Sequence, residues 1–528
     1  MVVVAGLVTT GGAAAPATGP GAGDGSAGGQ WAMSGQNLNN TRSNPNEHQI
    51  SPDNVATMTP KWSVTTAGNV TSTPTVFGGT VYFSDQGGSL WAVDADSGEV
   101  RWSNPVSTYT GVPNDVSRPS PAIVGNKLIT GDGWINGPNL TGGAQIYAVN
   151  RATGDPIWAT KVSEHPASTI TAAPVVSKGV VYTAVASKEE PLSGNPAYEC
   201  CTFRGSIVAL DLKTGDILWK SYMVPSNNGG GDINQPGFYS GNAVWGSSPV
   251  VDERRGLLYF GTGNNYTAPE GVCTEPGQTD CEPSPADNHA DSIMALRLSD
   301  GSVKWATRTL DADVFSGVCI GRPECGPDFD FGSGPQMFTT TDPATGESRQ
   351  LLGIGQKSGI YWALDPDTGE VVWDTMVGPG SFIGGMEWGS ATDGERIYVA
   401  EANGSRQPYT LGGSGPFAGQ TTRGGSWAAL DPATGEILWQ TPDPQMERDI
   451  GFVTVANGVV YVGSASTGNN MYALDAATGE VLWSFAGGGR IGSGPSVVDG
   501  TVYWGSGYML GAGGNNNKVY AFTPEDAG

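Results

Sequence analysis

The sequence predicts an all-β protein, an eight-bladed β-propeller held together by docked tryptophans. Three observations carry that prediction. A thirteen-residue unit recurs seven times, each copy an apolar strand, a polar turn containing Gly and a second strand closing on Trp. Further short strand pairs, such as GGTVYFSD, RGLLYFGT and NGVVYVGS, lie between the copies, so each unit holds about four strands, the content of a propeller blade. Composition agrees: of 528 residues, 81 are Gly, 36 Pro and 16 Trp, with 38% hydrophobic and only 15% charged. Such a chain is too apolar and aromatic for disorder and too rich in turn residues for a helical protein.

Residues 1–30 are rich in Gly, Ala, Pro and Thr and read as a disordered linker behind a residual export segment that lacks a basic start. The propeller is expected over residues 31–528. The seven copies close on Trp102, Trp158, Trp219, Trp305, Trp373, Trp439 and Trp483, and a half-copy at residues 519–522 stops before its turn. The segment Lys61-Trp62-Ser63-Val64 is expected to supply the missing outer strand, closing the ring and leaving no free edge. Each turn glycine is expected to be left-handed. Each closing Trp is expected to dock between blades, contributing on the order of 2–3 kcal/mol. The widest interval, Trp219 to Trp305, predicts long loops.

Net charge is −25, which argues against nucleic acid or an anionic membrane as partner and suits solubility outside a cytoplasm. A cationic electron acceptor would be steered by the same field. No apolar run is long enough for a transmembrane helix. Six cysteines, an even number in loop-like contexts, point to an oxidising compartment. No Cys-x-x-Cys-His occurs, so covalent haem is not encoded. His48, His165 and His289 are far apart and read as structural or exposed.

Four inserts look chemical rather than structural. Glu189-Glu190 precedes Glu199-Cys200-Cys201. Neighbouring Cα atoms lie about 3.8 Å apart, below the usual span of a disulfide, so a bond between Cys200 and Cys201 makes a strained ring with a flat face. Free buried thiols or bonds to distant partners are the alternative. Next come Trp245 in WGSSP and Asn264 in YFGTGNNY, whose amide oxygen suits a hard cation, although Asn in Gly-Asn-Asn is ordinarily a turn residue. In Asp328-Phe329-Asp330 only one carboxylate is expected to face a central site. Lys357 stands on an otherwise small, apolar strand, where a lone Lys is ordinarily exposed.

Taken together, these residues resemble the pyrroloquinoline-quinone (PQQ) dehydrogenases over residues 31–522, most closely the polyvinyl-alcohol-dehydrogenase-like branch. The repeat alone is shared with non-catalytic relatives; YFGTGNN, PDFDFG, GQKSG and GGMEWGSATDG are more specific and occur in the expected order. The segment at residues 34–55 is also similar to that family's N-terminal region. The resemblance implies Asp330 as the base taking the alcohol proton and Lys357 as the cation at the reactive quinone carbonyl. It implies Ca²⁺ held by Asn264, Asp330 and a glutamate, with Glu189 preferred over Glu190 or Glu199. Trp245 is the implied floor for the quinone, with Arg118, Thr171, Arg204, Trp388 and Asn403 around the cofactor and a Cys200–Cys201 ring on its other face. In methanol-dehydrogenase-like members the adjacent cysteines lie one blade earlier, so this pair departs from the family pattern. Cys273/Cys281 and Cys319/Cys325 are expected to be disulfide staples of a substrate rim, with their pairing open.

The implied function is oxidation of an alcohol, secondary or polymeric and like polyvinyl alcohol, by hydride transfer to PQQ beside Ca²⁺. The implied partners are the alcohol and an external acceptor such as a cytochrome c, in a secreted or periplasmic setting. The rival expectation is a non-catalytic propeller scaffold of the outer-membrane-assembly type, which binds protein segments and has no use for Trp245, Asn264, Asp330 and Lys357 together.

Overall fold

Each copy of the repeat forms the two outer strands of a four-stranded antiparallel blade. In the first blade the strands are Thr75–Phe77, Thr80–Ser84, Ser89–Asp94 and Val100–Pro105, hydrogen-bonded in chain order. The computed structural model of the chain describes residues 29–133, 142–225, 238–246, 248–322, 325–508 and 515–525. Residues 1–28 of the expected linker lie outside the described residues. Eight such blades form the ring, and short strand pairs decorate the loops between them.

The eighth blade is built from both ends of the chain. Its inner strands are Ser496–Val498, Thr501–Ser506 and Lys518–Pro524, and its outermost strand is Met58–Thr65, antiparallel to the last with Trp62 opposite Ala521 and Val64 opposite Val519. The expected closure by residues 61–64 is therefore what the structure shows.

The tryptophans link blade to blade by a repeated bond. Trp102, Trp158, Trp219 and Trp305 donate Nε1–H to the backbone oxygens of Arg151, Leu212, Leu298 and Pro366 in the next blade's turn, at 3.0–3.1 Å. Trp373 and Trp439 repeat this on Pro432 and Ala476. Across the closure, Trp483 donates to Met58 O, and Trp62 donates to Ala95 O of the first blade.

The turn glycine has a second duty beyond its left-handed backbone. At Gly369 φ is +79°, and a Cβ would lie 2.6 Å from the ring of Trp305. Gly369→Ala combines a left-handed penalty of about 1–2 kcal/mol with ring overpacking of about 1–3 kcal/mol. We expect a loss of about 2–4 kcal/mol of stability by chemical denaturation.

The core is distributed in wedges between blades. Between the first and second, for example, Tyr82, Leu90, Leu128 and Tyr147 are buried against one another. The N-terminal segment then ties the blades together at one mouth of the ring. Ala32, Leu38, Asn39, Thr41 and Arg42 accept, through their backbone oxygens, the N–H groups of Ile123, Val251, Met337, Thr392 and Val455. These acceptors visit the second, fourth, fifth, sixth and seventh blades in order. Asn44 completes the circuit, its Nδ2 donating to Val497 O of the eighth at 2.8 Å. Arg42 is fully buried, bonded to Ser34 O and Val453 O, and burial pushes its pKa down to about 9.

Candidate active site

Lys357 is buried at the centre of the site. It sits in the turn after the strand Ser348–Gly355, and its backbone N–H donates to Asp330 O at 3.0 Å. Its ammonium donates to Asp328 Oδ1 and Oδ2 at 3.0 and 3.1 Å and to Asp330 Oδ2 at 3.3 Å, and lies 5.1 Å from the centroid of the Trp245 ring. Trp245 Nε1 donates to the same Asp330 oxygen at 2.7 Å, and the Asn264 N–H donates to the other at 2.6 Å. Three sequence-predicted residues, Lys357, Trp245 and Asn264, thus converge on the carboxylate of a fourth, Asp330.

Two glycines make that convergence possible. A Cβ at Gly263 would lie 2.7 Å from Asp330 Oδ1, and one at Gly332 would lie 2.3 Å from the Trp245 ring. The glycines Gly263 of GTGNN and Gly332 of DFDFG are therefore spacing elements of the site.

The expectation that only one of Asp328 and Asp330 faces the site is corrected: both bind Lys357. Residues two apart on a strand share a face, and this segment is in any case not a strand, Asp328 having φ +60°. Asp313 holds the bend, accepting from the N–H groups of Asp328 and Phe329 at 3.2 and 2.9 Å.

The glutamate is corrected too. Ligand oxygens of Glu190, Asp328 and Asp330 lie within 4.8 Å of one another. Glu189 faces elsewhere, although both glutamates belong to the single helical turn Glu189–Leu192. Its carboxylate accepts from Thr202 N–H, from Phe203 N–H at 2.7 Å and from Tyr198 Oη at 3.0 Å, so it anchors the cysteine loop. Burial alone would raise the Glu189 carboxyl, but His165 and the amides of Phe203 and Thr202 outweigh it and hold it below the usual value. His165, 3.6 Å from Glu189 and bonded to Thr202 Oγ1, is structural, as the sequence led us to expect.

Acid outnumbers base around Lys357. Burial pushes the Glu190 carboxyl up to about 7 against the pull of Lys357, and does the same to Asp313 and Glu387. Burial alone would lower the Lys357 ammonium, but Asp328, Asp330, Glu190 and Glu387 outweigh it and hold its pKa well above the usual lysine value. Beside Asp330, Asn264 Nδ2 donates to Asn265 O and Phe315 O, while Asn264 Oδ1 is buried with no partner. Three close carboxylates and an unused amide oxygen are the donor set of a hard divalent cation.

Arg118, Thr171 and Trp388 line one small cavity together with Phe452 and Tyr508. Arg118 stacks over the Trp388 ring at 4.1 Å, and Trp388 meets Trp245 edge-on with centroids 5.4 Å apart. Thr171 Oγ1 donates to Trp245 O at 2.9 Å. Cys200 and Cys201 are bonded to each other and pack on the apolar cluster that also receives the Trp245 ring. The free-thiol alternative therefore falls. The remaining cysteines pair as Cys273–Cys281 and Cys319–Cys325.

Two predicted residues are committed elsewhere. Asn403 Nδ2 donates to Gln407 O, Arg423 O and Gly424 O, and its Oδ1 accepts from Gln407 N–H, so the side chain clasps its own loop. Arg204 donates to Val224 O and stacks on Tyr222, with only Nε buried and unpartnered. Sequence reasoning missed Asp313 and Glu387. Glu387 stood inside the GGMEWGSATDG motif, where an acid beside Trp388 was a usable signal; Asp313 lay in an insert without one.

Comparison with known proteins agrees with this geometry. Residues 165–381 match the family model for the β-propeller domain of glucose/ethanol/alcohol dehydrogenase, and residues 54–193 and 423–527 match that for outer membrane protein assembly factor BamB. The chain is 30% identical over 380 residues to a polyvinylalcohol dehydrogenase of Pseudomonas sp, covering 70% of this chain and 54% of that protein. It is 31% identical over 393 residues to the polyvinylalcohol dehydrogenase of Sphingopyxis sp. (strain 113P3), covering 72% and 54%. The chain thus spans about half the length of these curated relatives. Among solved structures, quinohemoprotein alcohol dehydrogenase ADHIIG from Pseudomonas putida HK5 superposes with a TM-score of 0.69 at 20% identity, over 94% of this chain and 80% of that one. A europium-containing methanol dehydrogenase gives 0.67 at 19%, over 94% and 98%. At such identities the superpositions show the fold alone. With two polyvinylalcohol dehydrogenases at least 30% identical over 70% and 72% of the chain, and the dehydrogenase-propeller match spanning Glu190 to Lys357, the chain belongs to the PQQ-dependent alcohol dehydrogenase family.

Proposed function

We propose that this propeller oxidises an alcohol, secondary or polymeric and like polyvinyl alcohol, using PQQ and Ca²⁺ and passing electrons to an external acceptor such as a cytochrome c. The observation that carries the reading is the buried group of Lys357, Asp328, Asp330 and Glu190 against the Trp245 ring. A scaffold ring gains nothing from it. Removing such charges from water costs several kcal/mol per ion, and well-packed apolar residues would hold the ring as well. The repeat shared with the assembly-factor family accounts for the blades and leaves this group unexplained.

The residues fit both groups. The carboxylates of Glu190, Asp328 and Asp330 with Asn264 Oδ1 would hold the ion, and Trp245 and Trp388 offer aromatic surface for a flat ring. Trp388 Nε1, buried without a partner, is a spare donor for an anionic cofactor. PQQ supplies the two-electron acceptor and Ca²⁺ the Lewis acid. Asp330, fixed by three donors, presents a carboxylate to take the alcohol's hydroxyl proton. Lys357, held protonated, places positive charge where an oxygen gains electron density. Asp313 keeps Asp328 in place.

Three disulfides suit a secreted or periplasmic setting, and among the described residues no helix is long and apolar enough to cross a membrane. The test is reconstitution of the purified chain with PQQ and Ca²⁺, followed by dye-linked oxidation of primary, secondary and polymeric alcohols. Turnover that requires both additions is the expected result. Absence of quinone absorbance and of turnover with every alcohol overturns the reading.

A further inference from the structure

One arc of the active-site face carries arginines on a chain whose net charge is −25. Lys357, Asn264 and Glu190 lie in loops that join the second and third strands of their blades, and Asp330 and Trp388 follow the outermost strands of the fourth and fifth. In an antiparallel blade both kinds of connection leave from the same end. Arg406 and Arg423 lie in the corresponding loop of the sixth blade, between Ile397–Glu401 and Ser426–Leu430. Arg448 and Arg490 follow the outermost strands of the sixth and seventh, Ile437–Pro442 and Val481–Phe485. All four therefore share the face of the candidate site.

Backbone contacts draw them together and tie them to the cavity. Arg423 Nη1 donates to Arg406 O at 3.3 Å, Arg406 Nη1 to Met446 O at 2.9 Å and Arg448 Nε to Gly404 O at 3.1 Å. Ala465 links the other two, its N–H donating to Arg448 O at 2.9 Å and its carbonyl accepting from Arg490 Nε at 3.2 Å. Gly404 N–H donates to Gly384 O at 3.1 Å, and Gly385 N–H to Lys357 O at 2.9 Å, so one short path runs from Arg448 to the lysine loop. On the other side Gly507 N–H donates to Arg490 O at 3.1 Å, and the adjacent Tyr508 lines the cavity with Trp388, Phe452, Gly492 and Arg118. The nearness of Arg406 and Arg490 adds to burial in lowering the pKa of Arg448.

Neighbouring acids do not cancel this charge. Arg406 pairs with Glu447, and among the described residues Arg423 and Arg448 form no ion pair. Of the acids packed beneath, Glu401 is pushed up to about 8 by burial, and burial with repulsion from Asp443 holds Asp449 well above the usual carboxylate value. Four guanidiniums thus stand against Glu447 and the buried Asp443. PQQ is a tricarboxylate, and the field of so acidic a chain repels it. A patch of opposite sign at the mouth of a cleft reverses that locally and raises association rates by about 10–10³-fold.

We propose that Arg406, Arg423, Arg448 and Arg490 form an electrostatic entry path that draws the anionic cofactor into the cavity beside Trp388, an inference that rests on the PQQ reading of the site. The experiment is stopped-flow mixing of PQQ with the cofactor-free full chain at saturating Ca²⁺, followed by tryptophan fluorescence, from low salt to about 1 M KCl, where the Debye length falls to about 3 Å. The wild-type association rate is expected to fall as salt rises, opposite to the trend that the net charge alone would set. Arg406→Gln combined with Arg448→Gln is expected to bind about tenfold more slowly at low salt and to lose that salt dependence, with little change in dissociation. Arg254→Gln removes a charge from the turn between Val250–Asp252 and Leu257–Gly261, at the opposite end of the fourth blade, and is expected to keep the wild-type rate. A wild-type rate that rises with salt, a double variant as fast as the wild type, or an equal slowing by Arg254→Gln overturns this inference and leaves the cofactor assignment standing. No uptake of PQQ by the wild type at any salt overturns the PQQ reading, and this inference with it. If Arg448→Gln does not fold, the exposed pair Arg406→Gln and Arg423→Gln takes its place and is read by the same outcomes.

Discussion

Asp330→Asn is expected to lower kcat by about 10³-fold or more while PQQ stays bound, assayed at Ca²⁺ high enough to offset the loss of one charged ligand, since a positioned general base contributes up to about 10⁴-fold. The substitution keeps the size of the side chain and keeps one oxygen to accept from Trp245 or Asn264. It removes the charge and one of the two acceptors that Trp245 Nε1, Asn264 N–H and Lys357 now share. The signature is therefore a fall in kcat with little change in bound quinone, read by absorbance of the reconstituted protein alongside steady-state rates. Loss of quinone together with activity would instead make Asp330 chiefly a binding residue.

The adjacent glutamates provide the second large effect, because substitutions at the two neighbouring positions are expected to give different phenotypes. Glu190→Gln is expected to lower Ca²⁺ affinity at the Lys357 site by at least about tenfold, with folding intact, because one charged ligand is lost. Glu189→Ala is expected to lose about 3–5 kcal/mol of stability, because it leaves the buried amides of Thr202 and Phe203 without an acceptor. The pH dependence separates them further. Glu189 is held below the usual carboxylate value, so its contribution is fully present above about pH 4.3 and is lost as pH falls through the lower folded value. The stability gap between wild type and Glu189→Ala therefore closes in acid, which denaturation curves at several pH values will show.

The ring was legible in the sequence because its signal is repeated. Seven Trp-closed copies report the same contact, and the missing eighth outer strand announces itself by an interrupted copy at residues 519–522. Lys357, Asp330, Asn264 and Trp245 were legible as a set, though each alone reads as an exposed lysine, a turn or a core aromatic. What escaped was direction. Nothing in the letters Glu189-Glu190 tells which carboxylate a helical turn aims inward, and nothing in DFDFG reveals that Asp328 is left-handed and shares Lys357 with Asp330. Asn403 and Arg204 matched family positions, but their hydrogen bonds are local, and local bonding depends on loop geometry rather than on residue type.

The blade shared by the two ends of the chain has a consequence in time. The strand Met58–Thr65 finds its partner only when Lys518–Pro524 exists, and Arg42 finds Val453 only late in synthesis. Contacts this distant in sequence form slowly, because the chain entropy of a very long loop is lost before they stabilise anything. Until its last strand emerges, the growing polypeptide is an open arc with unpaired edges and an unplugged mouth, and the lysine site, whose walls come from several blades, has no fixed geometry. The geometry of that site therefore waits on the strand Lys518–Pro524, and removing it would leave Met58–Thr65 unpaired and loosen the Trp62 tie to the first blade.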